Sequence, residues 1–106
     1  MKLGIVIYSN DPETVWNAFR LGTFSLKQGD TVSVFLLGKG VEAASLEHPG
    51  FDVTGQMENF SQAGGSIQAC GTCLKLRHSE HAEHCALSTM QDLHAIIRDA
   101  DRIVTF

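Results

Sequence analysis

The sequence holds no apolar run long enough to cross a bilayer. Its most hydrophobic stretch, Leu3 to Tyr8, falls far short of the roughly 20 residues a spanning helix needs, and no small-residue cleavage site follows it. A cytoplasmic protein without a membrane segment is therefore expected. Basic runs are missing too. Against 8 Lys and Arg stand 12 Asp and Glu, for a formal charge of −4, so no cationic stripe tracks a phosphate backbone and direct nucleic-acid binding is not expected. Cysteine is scarce: three residues make no disulfide framework, and two of them at C-x-x-C spacing suit a reducing compartment where thiols serve reactivity or metal binding. Repeats, linkers and low-complexity segments are absent as well, which leaves residues 1–106 as a single domain. With 43% hydrophobic and 19% charged residues, that domain has the composition of a folded globule.

What is present is an alternation of strand and helix patterns. Leu3 to Tyr8 is a nearly continuous apolar run, as in a strand buried on both faces. Asn10-Asp11-Pro12-Glu13 follows as a helix start, with a capping side chain, proline in the first turn and an acid to complement the macrodipole. The helix is expected to reach about Lys27, with Val15, Phe19, Gly22 and Leu26 on one stripe widened by Trp16. Thr31 to Leu37 is a second strand, so the first unit is a right-handed parallel βαβ. Gly38-Lys39-Gly40 lacks the spacing of a dinucleotide or P-loop motif and reads as a tight turn. Val41 to Gly50 is loop-like or briefly helical. A helix is expected from about Thr54 to Ala63, ended by Gly64-Gly65, and a third strand over Ser66 to Ala69 with Cys70 at its carboxyl edge. Leu74 to His84 has the pattern of one or two helical turns, and Ala86-Leu87 that of a short strand or linker. Ser88 to Gln91 reads as a capping box with Ser88 as the cap. A helix bearing Met90, Leu93, Ile96, Ile97 and Ala100 follows, then a last strand, Arg102 to Phe106. The fold class is α/β, with a mostly parallel sheet of four or five strands covered on both faces. Such sheets keep their sites outside the carboxyl ends of the strands, where Ser9-Asn10, Gly38-Lys39-Gly40 and Cys70 are expected to meet.

Chemistry concentrates in Ala69-Cys70-Gly71-Thr72-Cys73. A thiol there needs local positive potential to ionise, because an unperturbed cysteine titrates near pH 8.5. The candidate sources are the N–H groups of Gly71 and Thr72, the Thr72 hydroxyl, and the charges of Lys75 and Arg77. Glycine at 71 leaves the backbone free to approach the sulfur. His78, His81 and His84 recur every three residues, and with the cysteine pair they form C-x-x-C-x4-H-x-x-H, so Cys70, Cys73, His78 and His81 are an alternative zinc ligand set. The spacing is shorter than in zinc fingers, and three histidines beside Glu80 and Glu83 also describe a solvated face. Cys85 is expected to be structural, and His48 and His94 surface residues.

Three parts of the chain together resemble the DsrE/DsrF-like family: Ala69-Cys70-Gly71-Thr72-Cys73-Leu74-Lys75-Leu76-Arg77 after a strand, the capped helix near Ser88, and Ala100-Asp101-Arg102-Ile103-Val104-Thr105-Phe106. The resemblance covers essentially the whole sequence. It implies a three-layer, flavodoxin/Rossmann-like sandwich and a sulfur-relay role, with a cysteine that carries sulfane sulfur as a persulfide and no other cofactor. It also implies sulfur donor and acceptor proteins as partners, and assembly as a homo-oligomer (trimer or hexamer) or with paralogous subunits. Cys70 matches the sulfur-accepting position. Many relatives lack a cysteine at the position of Cys73 and have Arg-Gly where this chain has Arg77-His78. Cys73 is left with three roles: resolving a persulfide, ligating metal, or packing. A thiol–disulfide redox protein using Cys70 and Cys73, outside the Trp-Cys-x-x-Cys setting of thioredoxin, is one alternative function. A metal-binding assembly subunit is the other.

Overall fold

The structure, a computed structural model, describes residues 1–77 and 85–106. Five strands form one sheet in the order β4-β3-β2-β1-β5, with every neighbouring pair parallel. β1 (Lys2–Ile7) lies inside the sheet between β2 and β5 and, after Lys2, is buried, as its unbroken apolar sequence requires. α1 (Pro12–Lys27) starts where expected: the Asp11 carboxylate accepts the Thr14 N–H at 2.9 Å, and Pro12 occupies the first turn. The missing proline N–H loses nothing there, since first-turn donors have no intrahelical partner. α1 buries Val15, Ala18, Phe19 and Gly22 and returns the chain to β2 (Thr31–Leu36).

A 3-10 segment, Gly38–Ser45, takes in the expected Gly38–Gly40 turn and realises the brief helix, one of the two expectations for the residues after it. α2 (Val53–Gln62) buries Val53, Met57 and Phe60 beside α1. β3 (Ser66–Cys70) leads directly into α3 (Gly71–Leu76), which begins three residues earlier than the pattern suggests. After the undescribed segment come β4 (Ala86–Ser88), α4 (Met90–Asp99) and β5 (Arg102–Thr105).

The two faces of the sheet differ in chemistry. Successive strand residues point to opposite sides. A Cβ on Gly4 would meet Ile103 of the last strand, Ile96 of α4 and Ala100 just past its end, whereas Ile5 packs toward Gly22 of α1. By register, the α1 side carries Leu3, Ile5, Ile7, Val32, Val34, Leu36, Ile67 and Ala69, all buried. The α4 side carries Gly4, Ser33, Gln68, Cys70 and Ser88 beside the buried Val6 and Phe35, and α4 itself contains no fully buried residue. Its Leu93 and Ile96 reach the core, while Met90 and Ile97 stay exposed. Coverage is thus deep on one face and thin on the other.

The cap of α4 falls one residue later than expected. Ser88 is held in the β3–β4 ladder opposite Cys70 and turns its hydroxyl to the Ala86 carbonyl. Thr89 takes the cap position, and Asp92 accepts its N–H at 2.8 Å.

Candidate functional site

β3 delivers Cys70 to the carboxyl edge of the sheet, where it is the residue before the first turn of α3 and only 3% exposed. Cys73 follows one turn later, half-buried. Both thiols are free. They line a cleft of about 520 Å³ together with Gly71, Thr72 and Lys75 on one side and the β4–α4 junction on the other. The rim on that second side is apolar, with Leu87 and Met90 largely exposed.

The loop after β2 packs against this turn. β2 and β3 are neighbours with Leu36 opposite Ala69, so the residues beyond each strand end must meet. Gly38, at φ +56, donates its N–H to Cys73 Sγ at 3.3 Å. An L-residue with a side chain adopts that backbone only under strain. Gly40 anchors the same segment on β1: its N–H donates to the Leu37 carbonyl at 2.9 Å, and a Cβ there would lie 1.9 Å from the Ile7 carbonyl oxygen.

Glu42, on the 3-10 segment, draws the remaining groups together. It accepts Arg77 Nε at 2.8 Å and Asn10 Nδ2 at 3.4 Å, and Arg77 Nη1 donates to the Cys73 carbonyl at 3.2 Å. Hydrogen bonding from Arg77, then from Asn10, holds the Glu42 carboxyl below its ordinary range. Burial, then the neighbouring Cys70 thiol, pushes Cys73 above the ordinary thiol range; the Gly38 N–H and the Arg77 charge pull the other way. Cys73 at rest is accordingly a protonated thiol with one donor already aimed at its sulfur.

The expected site residues therefore divide. Cys70, Gly71, Thr72, Cys73 and Lys75 share the cleft. Arg77 does not turn its guanidinium to a sulfur; Glu42 and the Cys73 carbonyl occupy it. Gly71 is not required by crowding, since a Cβ there would sit 3.5 Å from the Ser88 carbonyl, an ordinary contact. Asn10 and Gly38 join the site through Glu42 and Cys73, whereas Ser9 accepts the Asp11 N–H. His78, His81 and His84 lie outside the described residues. Among the described residues no group of three or more His, Cys, Asp or Glu is placed to hold a metal ion. Cys85 is half-buried, and burial pushes its thiol up to about 11. His48 is exposed, tilted against Phe51 with ring centres 5.2 Å apart. Glu42 and the Gly38 N–H were not visible as site groups in the sequence, because nothing local marks a partner 35 residues away.

A sequence profile of the DsrE/DsrF-like family matches residues 1–106. The chain belongs to this family. An uncharacterized protein of Methanocaldococcus jannaschii is 33% identical over 100 residues, covering 89% of this chain and 88% of the relative. One of Methanopyrus kandleri is 28% identical over 110 residues, covering 95% and 91%. Among solved structures, YchN of E. coli matches with a TM-score of 0.84 at 19% identity over 100% of both chains. A conserved protein of unknown function from Bacteroides thetaiotaomicron matches with a TM-score of 0.81 at 19% identity, covering 99% and 94%. These two likenesses establish the DsrE-like fold and nothing finer. No described helix is long and apolar enough to cross a membrane.

Proposed function

We propose that this DsrE/DsrF-like protein is a sulfur-relay protein: Cys70 accepts sulfane sulfur as a persulfide and passes it to an acceptor thiol. Membership of the family supports sulfur handling. The observation that carries the assignment to one residue is the position of Cys70, a nearly buried thiol at the end of a parallel strand that lines a cleft. A persulfide reacts with any thiol that reaches it, so limited access suits a carrier whose sulfur is meant for selected partners. The exposed Leu87 and Met90 beside the cleft offer a donor or acceptor protein an apolar seat, and Lys75 places a cation near the anionic Cys–S–S⁻. The persulfide itself is the only group the carrier function requires.

The Cys73→Ser variant isolates Cys70 from its neighbour. After treatment with glutathione persulfide and removal of excess reagent, its intact mass is expected to rise by about 32 Da, one sulfur atom. The Cys70→Ser/Cys73→Ser protein, which keeps Cys85, is expected to gain nothing. No adduct on Cys73→Ser, or an equal adduct on the double variant, overturns the assignment.

A further inference from the structure

We propose that Cys73 is a resolving thiol, which attacks the Cys70 persulfide, closes a Cys70–Cys73 disulfide and releases the carried sulfur as sulfide. This rests on the carrier reading of Cys70 and gives the same site a second, reductive outcome.

Three observations point to it. First, Cys70 caps α3 with extended backbone and Cys73 is the third residue of that helix, so the two thiols face each other across the strand–helix junction and line the same cleft. The Cys70 thiol is a hydrogen-bonding neighbour of Cys73, so reaching the Cβ separation of about 3.5–4.5 Å typical of a disulfide requires a modest adjustment. Second, the two ends differ in rigidity. Cys70 belongs to a strand paired on both sides, whereas Cys73 sits on a helix of 6 residues, so the adjustment falls on Cys73. Third, Cys73 Sγ already accepts a hydrogen bond from the Gly38 N–H at 3.3 Å. That donor comes from another element and stabilises the thiolate as the proton leaves. The Arg77 bonds to Glu42 and to the Cys73 carbonyl tie α3 to the segment carrying Gly38, which makes Glu42 and Arg77 positioning residues.

The step balances without an external oxidant. Cys73 loses its proton and its thiolate attacks Cys70 Sγ, the inner sulfur of the persulfide. The Sγ–S bond breaks, and the outer sulfur leaves with the bonding pair and takes up the proton as HS⁻. The sulfane sulfur is reduced to sulfide while the two cysteine sulfurs are joined as a disulfide. Exchange with an external dithiol then restores both thiols.

The full-length reduced protein is loaded with glutathione persulfide, desalted, and followed by intact mass and sulfide release. Wild type is expected to lose its adduct and become about 2 Da lighter than the reduced protein, with one sulfide per disulfide and recovery on adding dithiothreitol. On Cys73→Ser the adduct is expected to last roughly tenfold longer or more, with no disulfide. Peptide mapping is expected to find the link inside the single tryptic peptide that holds both cysteines; a link to Cys85 overturns the proposal. Equal adduct lifetimes in wild type and Cys73→Ser overturn it too, yet leave the carrier reading intact. Failure of Cys73→Ser to take up sulfur removes the carrier reading and the resolving step with it.

Discussion

Gly40→Ala tests how the site is held. A Cβ at this position would lie 1.9 Å from the Ile7 carbonyl oxygen, 2.7 Å from its carbon and 3.2 Å from the Tyr8 nitrogen. All three are backbone atoms at the end of β1, so no side-chain rotation relieves the contact. The 3-10 segment must lift off the sheet instead, by well over an ångström if ordinary separations of about 3.5 Å are to return. Overpacking of this kind typically costs about 1–3 kcal/mol, and here it also loosens the buried Val41 and Ala43, which raises the expected loss to roughly 2–4 kcal/mol. In a domain of this size 1 kcal/mol shifts the melting temperature by about 4 °C. Thermal melts followed by circular dichroism should therefore show a drop of roughly 10 °C or more, with a matching fall in the urea midpoint. Gly29→Ala is the control, because Gly29 has φ +92 and nothing within 4 Å of its missing Cβ. It bears only left-handed backbone strain, about 1 kcal/mol, and a few degrees. If Gly40→Ala melts with the wild type, or no lower than Gly29→Ala, the close approach of the two backbones is wrong.

The Glu42–Arg77 pair is partly open to solvent, at 36% and 29% exposure, so Glu42→Gln is expected to cost only about 0.5–1 kcal/mol near neutral pH. Because the folded-state carboxyl titrates below its unfolded value, that contribution is present above about pH 4.3 and is lost as pH falls through the folded value. Urea midpoints of wild type and Glu42→Gln should converge on acidification, and a gap constant from pH 7 to about pH 3 would contradict the pairing. Cys85, pushed up to about 11, should react with iodoacetamide at pH 8 roughly a hundredfold more slowly than free cysteine; labelling at the free-thiol rate would show that it is not desolvated. Ile97 of α4 is more than half exposed and lies outside the cleft lining, and an apolar side chain at that level on a thin face suits a contact between subunits. Light scattering should report three or six copies, with dissociation in Ile97→Glu; a wild-type monomer would refute the assembly.

The strands and the two long helices on the α1 side were legible because each has a local cause. The Leu3–Tyr8 run, the Asp11-Pro12 start, and glycine at the left-handed positions 29 and 64 mark element ends without reference to the rest of the chain. Boundaries moved where a tertiary partner intervened. Ser88 has the chemistry of a cap, but its pairing with Cys70 passes that role to Thr89. The 3-10 segment reads in sequence only as a turn followed by a loop-like or briefly helical stretch, because it has no apolar period; the brief helix forms, and it is fixed by packing on β1 and α2. The apolar positions of α4 follow helical spacing, yet two of the five, Met90 and Ile97, face outward, and spacing alone does not say which side of a thinly covered sheet lacks a partner.

The site was legible only as far as its thiols. Cys70 and Cys73 announce themselves, while the groups that set their chemistry come from the β2 loop and become neighbours only through the strand order. With β2 beside β3 and Leu36 opposite Ala69, Gly38 two residues past one strand end must face α3 just past the other. No residue pattern encodes that adjacency. It follows that the donor on Cys73 is a backbone N–H, which only proline would remove, and proline with φ fixed near about −65° does not fit Gly38 at φ +56. Gly40→Ala, by lifting the segment that presents it, is the change that reaches it. The variant should slow disulfide closure in persulfide-loaded protein while Cys70 still takes up sulfur, since Cys70 is held by the β-ladder and not by Gly38. Unchanged closure in a measurably destabilised Gly40→Ala protein would mean that Cys73 needs no help from the β2 loop.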